Sequence, residues 1–279
     1  MPLIKPRTLS GFRDYLPSVM IPRERLMETA RGVFRSYGFA PIDTPTLEYL
    51  EILTGKGSEE TDRQIYRFED NGGRAVGMRF DLTVPLARFA AQHISTLGTP
   101  FKRYHIAPVW RGERPQAGRY REFMQCDFDT IGTKNVMADI ETVAVIDRLL
   151  RSMGFDAFTI SVNNRAVLTE LLRHLGLADQ SLAVLRSLDK LAKIGRDAVA
   201  VEMCEAAEIS AAKADKVLQL AELEGEAESI FEALPEITGG SGEAIAAIDR
   251  LRDVFEGALA AGVPRRRIKI DVSIARGLD

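Results

Sequence analysis

The stretch Phe101–Asp129, FKRYHIAPVWRGERPQAGRYREFMQCDFD, constrains this chain most. Its alternation predicts two strands joined by a basic, glycine-containing loop. Strand side chains point to opposite faces in turn, so Arg121, Phe123, Gln125, Asp127 and Asp129 share one face of the second strand. Tyr120, Met124, Cys126 and Phe128 share the other, with Glu122 as a polar misfit among them. Arg111 and Glu113 fall on one face of the first strand, and the loop adds Arg114 and Arg119. Guanidinium groups, carboxylates, an amide and a ring on one face suit an anionic, ring-containing ligand. They equally suit the solvated side of a half-exposed antiparallel sheet, and spacing alone leaves both readings open.

The remaining chain reads as an α+β domain around that hairpin. Pro22 immediately precedes an amphipathic helix, RERLMETARGVFRSYG, in which Leu26, Ala30, Val33, Phe34 and Tyr37 recur at helical spacing and Gly38 supplies the stop. An extended segment follows, FAPIDTPTLEYLE, whose Pro41 and Pro45 suit a sheet edge or a plain loop. Asn71-Gly72-Gly73 marks a tight hairpin between IYRFED and RAVGMRFDL. Asp81 and Thr83 then stand at a strand-to-helix junction, where either could serve as a helix cap.

Beyond the central hairpin come a helix (MADIETVAVIDRLLRSMG), a strand (FTISV) and a second helix (RAVLTELLRHLG). From Leu177 the texture changes to short Ala-, Leu-, Glu- and Lys-rich helices, until ITGGSGE at 237–243 provides a linker. A last helix and the strand-like RRRIKIDVSI lead to ARGLD. The expected division is a core over 1–176, a helical insertion over 177–240, and the resumed core over 241–279.

Charge supports that division. Residues 176–240 hold 6 Lys or Arg against 13 Asp or Glu, a net of -7; the remaining 31 basic and 27 acidic residues give +4. Two cysteines, Cys126 and Cys204, and three scattered histidines argue against a disulfide framework or a His/Cys metal centre. No apolar run reaches the ~18 residues of a membrane span, and the first residues lack a signal-peptide core, so a soluble cytoplasmic protein is expected.

Three motifs occur in the order found in one family. GFAPIDTPTLEYLE resembles the first class II aminoacyl-tRNA synthetase signature, PVWRGERPQAGRYREFMQCDFD the second, and ARGLD the start of a signature particular to histidyl-tRNA synthetases. The resemblance runs from about Leu9 to Asp279. It implies a class II antiparallel sheet flanked by helices with a helical insertion domain, and an ATP-dependent histidine–tRNA ligase with L-histidine, ATP carrying Mg2+, and tRNA(His) as substrates. A homodimer is implied by the first signature.

By the same resemblance, Arg111 contacts the α-phosphate, Arg119 the outer phosphates, Glu113 the adenine amino group, and Phe123 stacks under the base. Asp81, Thr83 and Gln125 receive the α-amino group of histidine and Asp129 its imidazole N–H. Arg276 faces Arg111 across the reacting phosphorus, beside the bound histidine, as an electrostatic stabiliser. No magnesium ligand is identified. In the family, ARGLD continues into a tyrosine-bearing loop, a third signature and a C-terminal anticodon-binding domain. These lie outside this sequence, so the chain is expected to be an incomplete catalytic part, impaired or inactive alone. The competing expectation is the non-catalytic relative, the histidine-binding regulatory subunit of ATP phosphoribosyltransferase; it shares the Asp81/Thr83 element but not Arg111 with Glu113, Gln125 with Asp129, or an intact ARGLD.

Overall fold

The computed structural model describes residues 3–55 and 59–274. The chain forms two compact units, one ending at Lys134 and the other beginning at Asn135. In chain order the first contains α1 (Pro17–Ser36), β1 (Ala40–Pro41), β2 (Leu47–Tyr49), α2 (Leu50–Leu53), α3 (Glu59–Gln64), β3 (Arg67–Glu69), β4 (Ala75–Met78), α4 (Thr83–Leu97), β5 (Phe101–Trp110) and β6 (Glu122–Ile131).

Helix α1 starts earlier than its periodicity indicates, because Pro17 takes the first helical position and Pro22 lies inside the helix. Proline is preorganised for a first turn, where N–H groups lack helical partners anyway. At Pro22 the helix forgoes one backbone bond near its start. Its buried face, Ala30, Val33 and Phe34, packs on the apolar side of the β5–β6 hairpin: the Phe34 ring lies 5.3 Å from Tyr104 and 5.2 Å from Phe128, and Phe39 meets Phe128 edge-on at 5.4 Å. Aromatic pairs at such separations add to plain area burial. They fix which side of the hairpin faces inward.

Two sheets build this unit, with strand orders β1-β5-β6 and β2-β4-β3. β5 and β6 pair antiparallel over ten residues each, from Phe101↔Ile131 to Trp110↔Glu122. The turn at Asn71–Gly73 joins β3 and β4 as expected, with Gly73 at φ 75° and Asp70 accepting from Gly72 and Arg74 backbone N–H groups. Pro41 sits in β1, parallel to β5, and the pairing is carried past it by the Ile42 N–H to Tyr104 carbonyl bond of 3.1 Å.

The second unit contains α5 (Val136–Ser152), β7 (Ile160–Val162), α6 (Arg165–His174), α7 (Ser181–Leu188), α8 (Leu191–Ile194), α9 (Arg196–Ala207), α10 (Ala211–Ala221), α11 (Ala227–Ile237), α12 (Gly242–Ala260) and β8 (Ile268–Ile270). Asn135, Asn164, Ser210 and Ser241 cap α5, α6, α10 and α12 by accepting backbone N–H groups. α12 buries Ala244, Ala247, Ile248, Leu251, Phe255 and Ala258, and Gly257 lets it approach Ile140 of α5 closely. Within this unit β7 and β8 pair in parallel. The boundaries expected at 176/177 and 240/241 both fall inside this unit, and residues 177–240 form helices α7 to α11 with no strand among them.

Candidate active site

Residues directly opposite in an antiparallel pair share a face. The β5–β6 register therefore sets Arg103, His105, Ala107 and Val109 beside Asp129, Asp127, Gln125 and Phe123. Glu122, the misfit on the apolar side, is satisfied there: its carboxylate accepts the Trp110 indole N–H at 2.7 Å.

At the loop end, Arg111 and Glu113 lie just past β5 rather than within it. The pairing continues one step, with the Arg111 N–H donating to the Arg121 carbonyl at 2.8 Å. Arg111 Nε donates to the Phe80 carbonyl at 3.0 Å, and its guanidinium carbon lies 5.0 Å from the centre of the Phe123 ring. The Phe123 ring in turn packs on the buried Leu82, Ala107 and Val109. This fixes a cation and an aromatic surface next to each other with most guanidinium donors still free of the anchor. Glu113 is half-buried and pairs with the exposed Arg119 at 3.1 Å, so two residues assigned to adenine and to outer phosphates meet each other.

Arg121 holds the loop. It donates from Nε to the Glu113 carbonyl at 2.9 Å and from Nη1 to the Ser10 carbonyl at 3.4 Å, and its N–H donates to the Gly11 carbonyl at 2.9 Å. Gly11 has φ 85°, and a Cβ there would come within 2.8 Å of the Arg121 side chain. The segment around Gly11 and the arginine-rich loop are therefore one locked assembly. Arg114 is exposed.

Asp81, next to the Phe80 whose carbonyl anchors Arg111, accepts the Val84 N–H on Oδ1 at 3.0 Å at the start of α4, so its carboxylate caps that helix. Burial pushes the Asp81 carboxyl up from its ordinary range, opposed by that backbone bond and by Arg111 and Arg103. Asp127 is pushed up as well, chiefly by burial, with Arg103 pulling the other way. Thr83, the first residue of α4, is exposed. Gln125 Oε1 is buried with no hydrogen-bond partner among the described residues. Arg103 is fully buried and brings Nη2 to 2.5 Å from Asp129 Oδ2.

The structure thus gathers Asp81, Arg111, Phe123, Gln125 and Asp129 around one strand face, with Glu113 and Arg119 in the adjoining loop. Arg276 lies outside the described residues. The sequence reading missed Arg103, although its signal was present: an arginine across the register from Asp129, in a strand otherwise rich in apolar residues. His105 joins the same face but turns to Asp43, at 3.0 Å, and burial keeps its pKa below the ordinary value. A cavity of about 970 Å³ lies instead in the second unit, between Leu188, Arg196, Glu222, Lys269 and Asp271. It holds none of the sequence-derived residues. Its Arg196 is already paired with Asp215 and Glu222, whereas the hairpin face keeps buried polar atoms unpaired.

Comparison with known proteins places the chain in a family. A family model described as histidyl-tRNA synthetase matches residues 11–279. The histidine–tRNA ligase of Rhodopirellula baltica is 74% identical over 277 residues, covering 99% of this chain and 63% of that protein. That of Treponema denticola is 48% identical, with 99% and 62% covered. The chain spans roughly three-fifths of the length of these relatives. Among solved structures, histidyl-tRNA synthetase from Nostoc sp. PCC 7120 superposes with a TM-score of 0.88 at 33% identity, covering 99% of this chain and 63% of that one. An ATP phosphoribosyltransferase regulatory subunit/histidyl-tRNA synthetase from Bacillus halodurans C superposes with a TM-score of 0.82 at 22% identity, covering 98% and 69%, and shows the fold alone. On the match across residues 11–279 and the identity to its relatives, the chain belongs to the histidyl-tRNA synthetase family.

Proposed function

We propose that this chain carries the amino-acid-activating site of a histidine–tRNA ligase, which joins L-histidine to ATP as histidyl-adenylate and, in the full-length protein, passes the histidyl group to tRNA(His). The observation that supports it most is the polarity of one strand face. An amide and a carboxylate, Gln125 and Asp129, stand toward one end, a guanidinium and an aromatic ring, Arg111 and Phe123, toward the other, and Asp81 adjoins Phe80, whose carbonyl anchors Arg111. An aminoacyl-adenylate has the same polarity, an ammonium and ring N–H groups at one end and a phosphate and purine at the other.

In the first step a histidine carboxylate oxygen attacks the α-phosphorus of ATP. The new bond is carboxyl O–P, the bond to the bridging oxygen breaks, and pyrophosphate leaves with that electron pair. The nucleophile is already ionised, so no general base is needed; positioning and charge stabilisation carry the step. Arg111, anchored through Nε to the Phe80 carbonyl, offers its Nη atoms to the α-phosphate oxygens as charge builds there. Phe123 gives the adenine a flat surface, Glu113 accepts its amino group, and Arg119 exchanges Glu113 for the outer phosphates. Asp81, Thr83 and Gln125 take the α-ammonium and Asp129 the imidazole N–H. Arg276 is proposed as the second cation at the α-phosphate. Among the described residues no group of three or more His, Cys, Asp or Glu could hold a metal ion, so magnesium is proposed to arrive with the triphosphate.

A homodimer and a cytoplasmic location belong to the same proposal. Among the described residues no helix is long and apolar enough to cross a membrane. The test is ATP–pyrophosphate exchange on the full-length protein against each amino acid. Exchange that depends on histidine is expected; none with histidine would favour a regulatory, histidine-binding protein, and exchange with another amino acid would reassign the specificity.

A further inference from the structure

Arg103 has no part in the mechanism above, yet it is the most demanding side chain on the hairpin face. It is fully buried. Its one ion contact is Nη2 to Asp129 Oδ2 at 2.5 Å, and none of its guanidinium nitrogens makes a hydrogen bond of proper geometry among the described residues. Burying a guanidinium is expensive, and an apolar side chain of similar volume is often as stable or more so. The fold gains little from it. What the position does gain is a cation under three carboxylates: Asp129 directly opposite in the register, Asp127 two residues away on the same face, and Asp81 at the start of α4.

We propose that Arg103 is a positioning residue for amino-acid specificity. Its guanidinium engages Asp129 by one carboxylate oxygen, which turns the other toward an imidazole N–H, and its charge keeps the three neighbouring carboxylates compatible around one bound ammonium. The proposal rests on the histidine-site reading. The α-phosphate has its own proposed cation, Arg111, tied to the Phe80 carbonyl, so loss of Arg103 is expected to fall on histidine more than on ATP. Burial opposes ionisation of Asp81 and Asp127, and Arg103 is among the groups that counter it in both. His105, Arg111 and Arg121 are further titratable or charged groups on or beside that face; His105 is held by Asp43, and Arg121 by the Glu113 and Ser10 carbonyls.

The test uses the full-length enzyme with Arg103→Met, Arg103→Lys, Asp127→Asn and the Arg103→Met/Asp127→Asn pair, in histidine-dependent exchange with thermal melting alongside. For Arg103→Met the histidine KM should rise by about tenfold or more while the ATP KM stays within about twofold and the melting temperature is maintained. Lysine should recover part of the loss through its charge, and Asp127→Asn should recover part of it by removing a carboxylate that no longer has a counter-ion. An unchanged histidine KM in Arg103→Met overturns the proposal. So does a parallel rise in both KM values that neither lysine nor Asp127→Asn relieves, since that is a merely structural effect. If Arg103→Met does not fold, Arg103→Gln in the Asp127→Asn background removes one charge of each sign and is read by the same KM comparison. A parent enzyme without histidine-dependent exchange sinks the histidine reading and this proposal together; a parent that exchanges, beside an Arg103→Met variant that matches it, sinks this proposal alone.

Discussion

In helices α7 to α11, cations lean on acids of their own segment. Lys190 lies 2.6 Å from Glu202, and Arg196 reaches Asp215 at 2.5 Å and Glu222 at 2.9 Å, all partly open to solvent. On the β5–β6 face, Arg103 is fully buried, burial raises the pKa of Asp81 and of Asp127, and Gln125 has an oxygen with no partner among the described residues. Exposed pairs of the first kind contribute about 0–1 kcal/mol each and are screened by salt. Buried groups of the second kind cost stability, and such costs concentrate where a ligand supplies the missing partners. The lesson is that the number of charges does not mark the site. The helical segment pairs these cations with acids at its surface, while the hairpin face buries charges that lack full sets of partners among the described residues.

The largest way to break this contrast is Arg111→Ala, which should lower the exchange rate by about 10²- to 10³-fold, as loss of an electrostatic stabiliser does. An effect confined to KM would move Arg111 out of the transition state. Asp129→Ala follows, with the histidine KM up on the order of 10- to 100-fold and the ATP KM little changed, because a lost acceptor for a buried N–H costs a few kcal/mol. Equal effects on both KM values would remove Asp129 from the amino-acid end.

Gly11→Ala should destabilise by about 1–2 kcal/mol in denaturant melts, since a side chain at positive φ is strained and would also crowd Arg121. It should weaken ATP more than histidine, because Arg121 ties that segment to the Glu113 loop. Unchanged stability would show that the lock is not needed.

Asp127→Asn sharpens the comparison through pH. A carboxyl whose pKa is raised on folding stabilises below its unfolded pKa and loses that contribution as pH rises through the folded value. The asparagine variant should therefore melt higher than the parent at neutral pH, with the difference fading as pH falls toward the ordinary value of 3.8. A difference that grows on acidification would reverse the sign of the burial effect. The smallest effect belongs to Lys190→Gln in the second unit, which should change stability by less than about 1 kcal/mol and leave exchange untouched.

Much of the hairpin was legible because its register follows from alternation: the face bearing Phe123, Gln125, Asp127 and Asp129 is the one observed, and Glu122 proved a misfit only until Trp110 was seen opposite it. The turn at Asn71–Gly73 was equally plain, since positive φ selects its glycine. The start of α1 was not legible, because one proline can open a helix and another can be tolerated a turn later, and the sequence pattern alone does not say which of Pro17 and Pro22 opens it. Nor was the parallel pairing of β7 with β8, since no local pattern joins Ile160 to Ile268 across the intervening helices. Arg103 was overlooked for a related reason: a lone arginine on an apolar strand gains meaning only from its partner across the ladder, Asp129. Asp81 was legible as either cap or ligand, and the structure shows the cap; the ligand role belongs to the proposed function.

The most direct test is a crystal structure of the protein with a non-hydrolysable histidyl-adenylate analogue, such as the sulfamoyl ester. The imidazole N–H should meet Asp129, the α-ammonium Asp81 and Gln125, the sulfamoyl oxygens Arg111, and the adenine the Phe123 ring. An analogue bound with its purine at the Asp129 end, or bound away from the β5–β6 face altogether, would contradict the assignment of that face as the site of histidine activation.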